Sequence, residues 1–219
     1  MSDWFIATEG VKVVKDSASL LPQIITAVST AGAALGGVYL THRFARGREE
    51  RASAERRAHE LQLIEDKRQQ ELIYIATELV FLLEHFAQEC AAVATDDGYE
   101  NQNRLTVPVT KCPVLKISAI TGDWRVLPAK LMYRIRELPV MQGEADRTIN
   151  EVDHIPPDYD EFFEERQYQY TRLGLKAIIQ ARRLRRLVGL PHTRLDATRW
   201  SAQPVLWAVW RRERRQRAS

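Results

Sequence analysis

Hydrophobic positions along this chain change rhythm several times. Residues 17–41 pass without an acid or a base, residues 42–70 are almost wholly charged or alanine, and from Leu72 apolar residues return at helical spacing. Twenty-five residues are enough to cross a hydrocarbon core of about 30 Å as a helix rising about 1.5 Å per residue. The stretch is only moderately apolar, because Pro22, Gln23, Thr26, Ser29 and Thr30 dilute Leu20, Leu21, Ile24, Ile25, Val28, Leu35, Val38 and Leu40. A transmembrane helix over 17–41 is the expectation; a buried, alanine-rich helix of an ordinary globule is its rival. Pro22 suits a first helical turn, where a missing N–H is tolerated, and Tyr39 suits an interfacial anchor.

The charged stretch 42–70 reads as a solvated helical stalk, since its mixed charges recur three and four apart. Little apolar stripe precedes Leu61 and Ile64, so a tight coiled coil has weak support. Beyond it, Leu72, Ile75, Leu79, Leu82 and Phe86 step by threes and fours. Ile73, Ala76, Val80, Leu83 and Ala87 follow one residue behind. Two adjacent apolar rows predict a helix buried over a wide face. The run Asp96-Asp97-Gly98 should end it. Residues 95–125 read as irregular, broken by Pro108 and Pro113, with short extended pieces at 105–107 and 114–117. Such long connections either carry function or wrap the helices, and the residues leave both open.

Helix resumes near Leu127 and Pro128 with Leu131, Ile135 and Leu138 on one face, and Pro139 is expected to end or kink it. A more polar stretch follows over 140–152. Asp158 with Glu161 forms a capping box for a helix running to Val188. Phe163, Tyr170, Ala177 and Leu184 recur by sevens there, with Arg166, Leu173 and Leu187 interleaved. Gly189 and Pro191 supply the stop. This helix matches the 72–93 helix plus part of the stalk in length, so the two should pair antiparallel. The fold class is therefore mainly α, with one N-terminal transmembrane helix, a long juxtamembrane helical stalk and a cytosolic antiparallel helical domain. The order is a tail over 1–16, the span over 17–41, the stalk over 42–70, the domain over 71–190 and a basic, tryptophan-containing tail over 191–219.

Charge sets the expected orientation. Residues 1–19 hold two lysines and three acids, whereas residues 42–57 hold six arginines, among them Arg43, Arg46 and Arg48. Basic side chains resist translocation, which points to a single-pass protein of a bacterial inner membrane with its N-terminus outside and its C-terminal domain cytoplasmic. Asp3 and Glu9 argue against a cleaved signal peptide, whose leading segment is basic. Cys90 and Cys112 then face a reducing compartment and stay thiols. Within the span, Gly32 and Gly36 form a G-x-x-x-G, with Ala33 and Gly37 at the same spacing. Small residues on one face let helix backbones approach, so a homo-oligomer is expected.

The whole chain carries about +3, yet residues 172–219 hold thirteen Lys or Arg against Asp196 and Glu213. Trp200, Trp207 and Trp210 sit in that tail with Arg211, Arg212, Arg214 and Arg215, on a short helix starting near Pro204. Three occupants fit such a surface. Anionic lipid takes tryptophan at headgroup depth and arginine on phosphate, nucleic acid uses the same pair for stacking and phosphate contact, and the protein's own helices can bury the tryptophans.

The segments Leu83-Glu84-His85-Phe86-Ala87 and Asp158-Tyr159-Asp160-Glu161-Phe162-Phe163 resemble a group of bacterial single-pass, membrane-anchored helical proteins of unknown function, over about residues 70–190. The resemblance implies an anchored helical layout and neither an activity nor a binding residue.

Candidate chemistry is sparse. Glu151 and His154 make an E-x-x-H, half of a di-metal pattern, but none of the other four histidines has a Glu three residues before it. A solvated helix end accounts for the pair, and the acids from Asp158 to Glu165 suit a helix amino terminus. Cys90, near His85 and Glu89, falls on an apolar row, where a buried inert thiol is the ordinary outcome. No phosphate-binding glycine loop, nucleophile elbow or paired C-x-x-C is present, so no cofactor, metal or catalytic residue is assigned. The expected function is a non-enzymatic membrane-anchored protein whose cytosolic domain binds an unknown protein partner or senses a signal. A membrane-damaging effector of anti-phage defence and an enzyme with a dispersed helical active site are the alternatives.

Overall fold

The computed structural model describes the backbone of residues 20–152, 155–156 and 159–218, and their side chains apart from those of 20–42, 44 and 45. The fold is mainly α: four helices and one two-residue hairpin among the described residues. The chain forms two compact units, residues 1–62 and 63–219. Helix α1 (Leu20–Ala94) is continuous, with Pro22 in its first turn, the position where the absent N–H is tolerated. In the first unit, residues 48–62 expose every side chain, and their charges support the helix from its own surface. Among the described residues, no helix is long and apolar enough to cross a membrane. The expected span over 17–41 lies outside what is described, save for the helical backbone of 20–41.

The second unit is built around α3 (Asp160–Val188). Its neighbours are the end of α1, α2 (Ala129–Glu151) and α4 (Ala202–Gln216). All three run antiparallel to it. On the α1 side, Glu84 meets Arg185 and Asp96 meets Arg166. On the α2 side, the Tyr170 hydroxyl donates to Asp146 at 2.7 Å while Lys176 lies against Met141. On the α4 side, Gln167 meets Arg212 and Gly174 meets Leu206. A helix surrounded in this way needs apolar residues on more than one stripe. Phe163, Tyr170, Leu173, Ala177, Ile178, Ala181 and Leu184 are accordingly buried. Ile179 and Leu187 face outward, 42% and 37% exposed. On α1 both apolar rows are used: Ile75, Leu79, Phe86 and Ala76, Val80, Leu83, Ala87 are buried and Leu72 and Leu82 half-buried, while Ile73, Tyr74 and Phe81 turn out to solvent.

Three local expectations are corrected. Pro139 does not end the helix; α2 runs through it from Ala129 to Glu151. A mid-helix proline costs about 3 kcal/mol, but Leu138, Gln142, Ala145 and Ile149 are buried on the following turns. That tertiary burial exceeds the local penalty. The piece 114–117 forms no strand: residues 114–116 lie outside helix and strand with Leu115 in the core, and a 3-10 turn occupies Ile117–Ala119. The piece at 105–107 does pair, as β2 (Thr106–Val107) against β1 (Tyr99–Glu100), in antiparallel register. Finally, α3 starts with Tyr159 at its N-cap, in the left-handed region at φ 57° and without a side-chain cap bond. Asp158 lies outside the described residues. The C-terminal stop is as read: Gly189 takes φ 69° and its N–H caps the Arg185 carbonyl, the left-handed end that glycine adopts without strain.

Residues 95–128 are tied down by side chains reaching out of the helices. Gln142 accepts the Leu115 N–H at 2.9 Å and donates to the Pro113 carbonyl. Glu71 accepts the Asp123 N–H at 3.0 Å. Polar backbone needs partners wherever water is excluded, and these long side chains provide them. The segment wraps the helices.

Candidate functional site

Helix α4 divides cleanly into two faces. Ala202, Leu206, Val209 and Glu213 are buried, at a spacing of four, three and four residues. On a helix turning about 100° per residue, Trp207, Arg211, Arg214 and Arg215 fall on the opposite side, and all four are exposed. The Arg211 and Arg215 side chains lie along their own helix, donating to the Trp207 and Arg211 carbonyls at 3.2 and 3.1 Å. Among the described residues, none of Arg211, Arg214 and Arg215 reaches a carboxylate. Glu213, the sole acid of α4, turns inward and is 3% exposed. The outer face is thus uniformly cationic. Just before the helix, Trp200 is 75% exposed with the Arg199 guanidinium 4.7 Å from its ring centre.

The flanks of α4 belong to the fold. Trp210 stacks on Tyr168, with ring centres 5.7 Å apart and planes 7° from parallel. Arg217 caps the same Tyr168 ring at 3.8 Å and pairs with Glu165 at 2.6 Å. Arg212 donates to Gln167 at 2.7 Å. The set of tryptophans and arginines proposed from sequence as one contact surface therefore separates. Trp200, Trp207, Arg211, Arg214 and Arg215 face outward, while Trp210 and Arg212 hold α4 to α3. Arg43, Arg46 and Arg48 are exposed in the first unit. Gly32, Ala33, Gly36 and Gly37 fall where the backbone alone is described, as helix.

Beneath Arg212 lies a buried polar network with no counterpart among the sequence-proposed sites. Asp96 and Arg166 pair at 3.0 Å with both side chains 2% exposed. The Asp96 carboxylate also accepts the N–H groups of Gly98, Val109 and Thr110, at 3.0, 3.2 and 2.8 Å. Arg166 donates again to the Thr110 carbonyl. Gln167 bridges the Asp96 carbonyl and the Asp97 carboxylate at 3.1 and 3.0 Å. Burial pushes the Asp96 pKa up, but the Thr110, Gly98 and Val109 amides and Arg166 outweigh it and hold the carboxyl below its ordinary value. Gly98 sits at φ 78°, and a Cβ there would lie 2.6 Å from the Phe163 ring. Only glycine fits that turn. The one sequence signal for this network was an arginine, Arg166, on the apolar seam of α3.

Two other places carry titratable groups. A polar notch of about 200 Å³ opens between α2 and α3, lined by Glu144, Thr148, Gln169, Arg172 and Lys176 among others. Burial and then the Arg172 charge push the Lys176 pKa down. Cys90 is fully buried against α3, and burial raises its thiol pKa well above the ordinary value, whereas Cys112 is exposed. Thiolate, not thiol, reacts. Alkylation of the native protein with iodoacetamide is therefore expected to label Cys112 and spare Cys90 until denaturant is added, as peptide mass mapping would record. His154, the second half of the E-x-x-H, lies outside the described residues. Among the described residues, no cluster of three metal-ligating side chains occurs. Comparison of the chain with protein-family models, with curated proteins and with solved structures gives no match.

Proposed function

We propose that this is a non-enzymatic, membrane-anchored protein of a bacterial inner membrane. Its uncharged stretch 17–41 spans the bilayer with the N-terminus outside, and its helical domain works in the cytoplasm by binding a partner. The observation that carries the reading is the unbroken course of α1 from the uncharged stretch through Arg43, Arg46 and Arg48 into the charged segment. A helix that passes without interruption from an uncharged run to an arginine cluster suits a span with a positive inner flank. The domain adds support. Its buried polar side chains Asp96, Arg166, Gln167 and Gln142 are engaged in holding backbone and neighbouring helices. Its last helix, α4, presents Trp207, Arg211, Arg214 and Arg215 to solvent. Gly32 and Gly36, with Ala33 and Gly37, provide a face for self-association of spans. The test is fractionation of cells expressing the full chain, followed by alkaline carbonate extraction. Retention in the membrane pellet is the expected result; release into the supernatant would overturn the anchor and the function built on it.

A further inference from the structure

We infer that the outer face of α4 docks onto a second copy of this chain, with Arg211, Arg214 and Arg215 of each copy meeting Asp160, Glu161 and Glu164 of the other. The inference concerns the second unit alone and does not depend on the membrane anchor. It is carried by two unpaired patches of opposite charge on one domain. The first is the face of α4 described above, with three exposed arginines, a tryptophan 42% exposed and its only acid turned into the core. The second is the start of α3. Asp160, Glu161 and Glu164 are exposed there, and among the described residues none of the three reaches a cation. The helix dipole suits the first two, but its effect fades within one turn, which leaves Glu164 without that support. Because α4 runs antiparallel to α3, the patches lie side by side at one end of the domain. Glu165 pairs with Arg217 at 2.6 Å, and Asp160 and Glu164 line a cleft of about 410 Å³ together with Arg212 and Gln216. Neighbouring patches of opposite sign are self-complementary about a two-fold axis passing between them. One such rotation sets each arginine face on the other copy's acids, so both contacts form together and the assembly closes as a dimer. Arginine binds carboxylate through its planar fork, and Trp207 supplies the kind of aromatic anchor that interfaces favour beside arginine. Leu206, Val209 and the Trp210–Tyr168 stack hold α4 on its inner side, so the face is presented ready-made. A nucleic-acid strand fits less well, since phosphates laid along the arginines run into the acids at the same end of the domain. An acidic segment of another protein would use the arginines and leave those acids bare.

Charge exchange in the full chain tests this in detergent solution, with Gly32→Leu and Gly36→Leu in every chain so that close packing of spans contributes nothing. One variant carries Arg211→Glu/Arg214→Glu/Arg215→Glu, the other Asp160→Asn/Glu161→Arg/Glu164→Arg. All six side chains face solvent, so the circular dichroism of both should match the parent. Sedimentation equilibrium reads the dimer. The parent is expected to dimerise, more weakly as salt is raised. Each variant alone should self-associate about a hundredfold more weakly, because like charges then face each other in both contacts. An equimolar mixture should return close to the parental constant, since the exchanged patches match again. A parent that stays monomeric at low salt overturns the inference; if it then binds a single-stranded oligonucleotide, the face belongs to nucleic acid. Variants that dimerise like the parent overturn it too, and so does a mixture that fails to recover although both chains keep the parental circular dichroism. Should either exchange disturb the fold, the milder Arg211→Ser/Arg214→Ser and Glu161→Ser/Glu164→Ser chains are each expected to dimerise about tenfold more weakly, and unchanged dimerisation in them has the same overturning force.

Discussion

Arg166→Ala is expected to destabilise the helical domain by about 3–5 kcal/mol, the usual consequence of removing one partner from a buried ion pair. Asp96 would keep its three backbone donors but lose its counter-charge in a site where both side chains are 2% exposed. The Thr110 carbonyl would lose its arginine donor as well. The pair as a whole is worth less than this figure, because both ions were desolvated to form it. Asp96→Asn combined with Arg166→Met should therefore recover part of the loss. Denaturant unfolding followed by tryptophan fluorescence measures all three chains. A cost below about 1 kcal/mol for Arg166→Ala, the range of an exposed pair, would sink the claim. The acid dependence follows from the direction of the Asp96 shift. Its folded pKa lies below its ordinary value of 3.8, so its contribution is fully present above about pH 4 and is lost as pH falls through the folded value. Unfolding of Arg166→Ala should depend less on pH in that acid window than unfolding of the parent.

Gly174→Ala should destabilise by about 1–3 kcal/mol, the cost of overpacking a tight core, although the same change in an open helix gains about 1 kcal/mol of propensity. Gly174 sits where α3 meets both α1 and α4. A Cβ there would lie 2.8 Å from Leu206 Cδ1 and 2.9 Å from Cys90 Cβ. The leucine methyl can rotate away. The Cys90 Cβ is fixed to the α1 backbone, so relief requires the two helices to separate, and steric cost outweighs propensity. Gly143 is the internal control, since a Cβ there meets nothing within 4 Å. Gly143→Ala is expected to raise the thermal midpoint and Gly174→Ala to lower it. Two shifts of the same sign would show that propensity alone governs both sites.

Periodicity made the long elements legible. Phe163, Tyr170, Ala177 and Leu184 announced α3 and its buried seam, and Gly189 announced its end, because both signals act within a few residues along the chain. The end expected at Pro139 failed for the same reason: its penalty is local, whereas Gln142, Ala145 and Ile149 are buried by tertiary packing, Gln142 against Pro113 and Leu115. The Asp96–Arg166 pair was hidden more deeply. Its members stand 70 residues apart, and neither the turn around Asp96 nor the seam around Arg166 refers to the other.

The candidate surface shows the same division. Composition alone established that the last third of the chain is basic and tryptophan-bearing, with a short helix starting near Pro204. Only packing decided which aromatic and which guanidinium groups remain available. Tyr168 claims Trp210, Gln167 claims Arg212 and Glu165 claims Arg217, while Trp207, Arg211, Arg214 and Arg215 are left facing water. Local pattern fixes the face a side chain occupies on its own helix, since that depends on the helical turn. Its partner across the core is set by how the helices dock, and that depends on shape and charge brought together from distant parts of the chain.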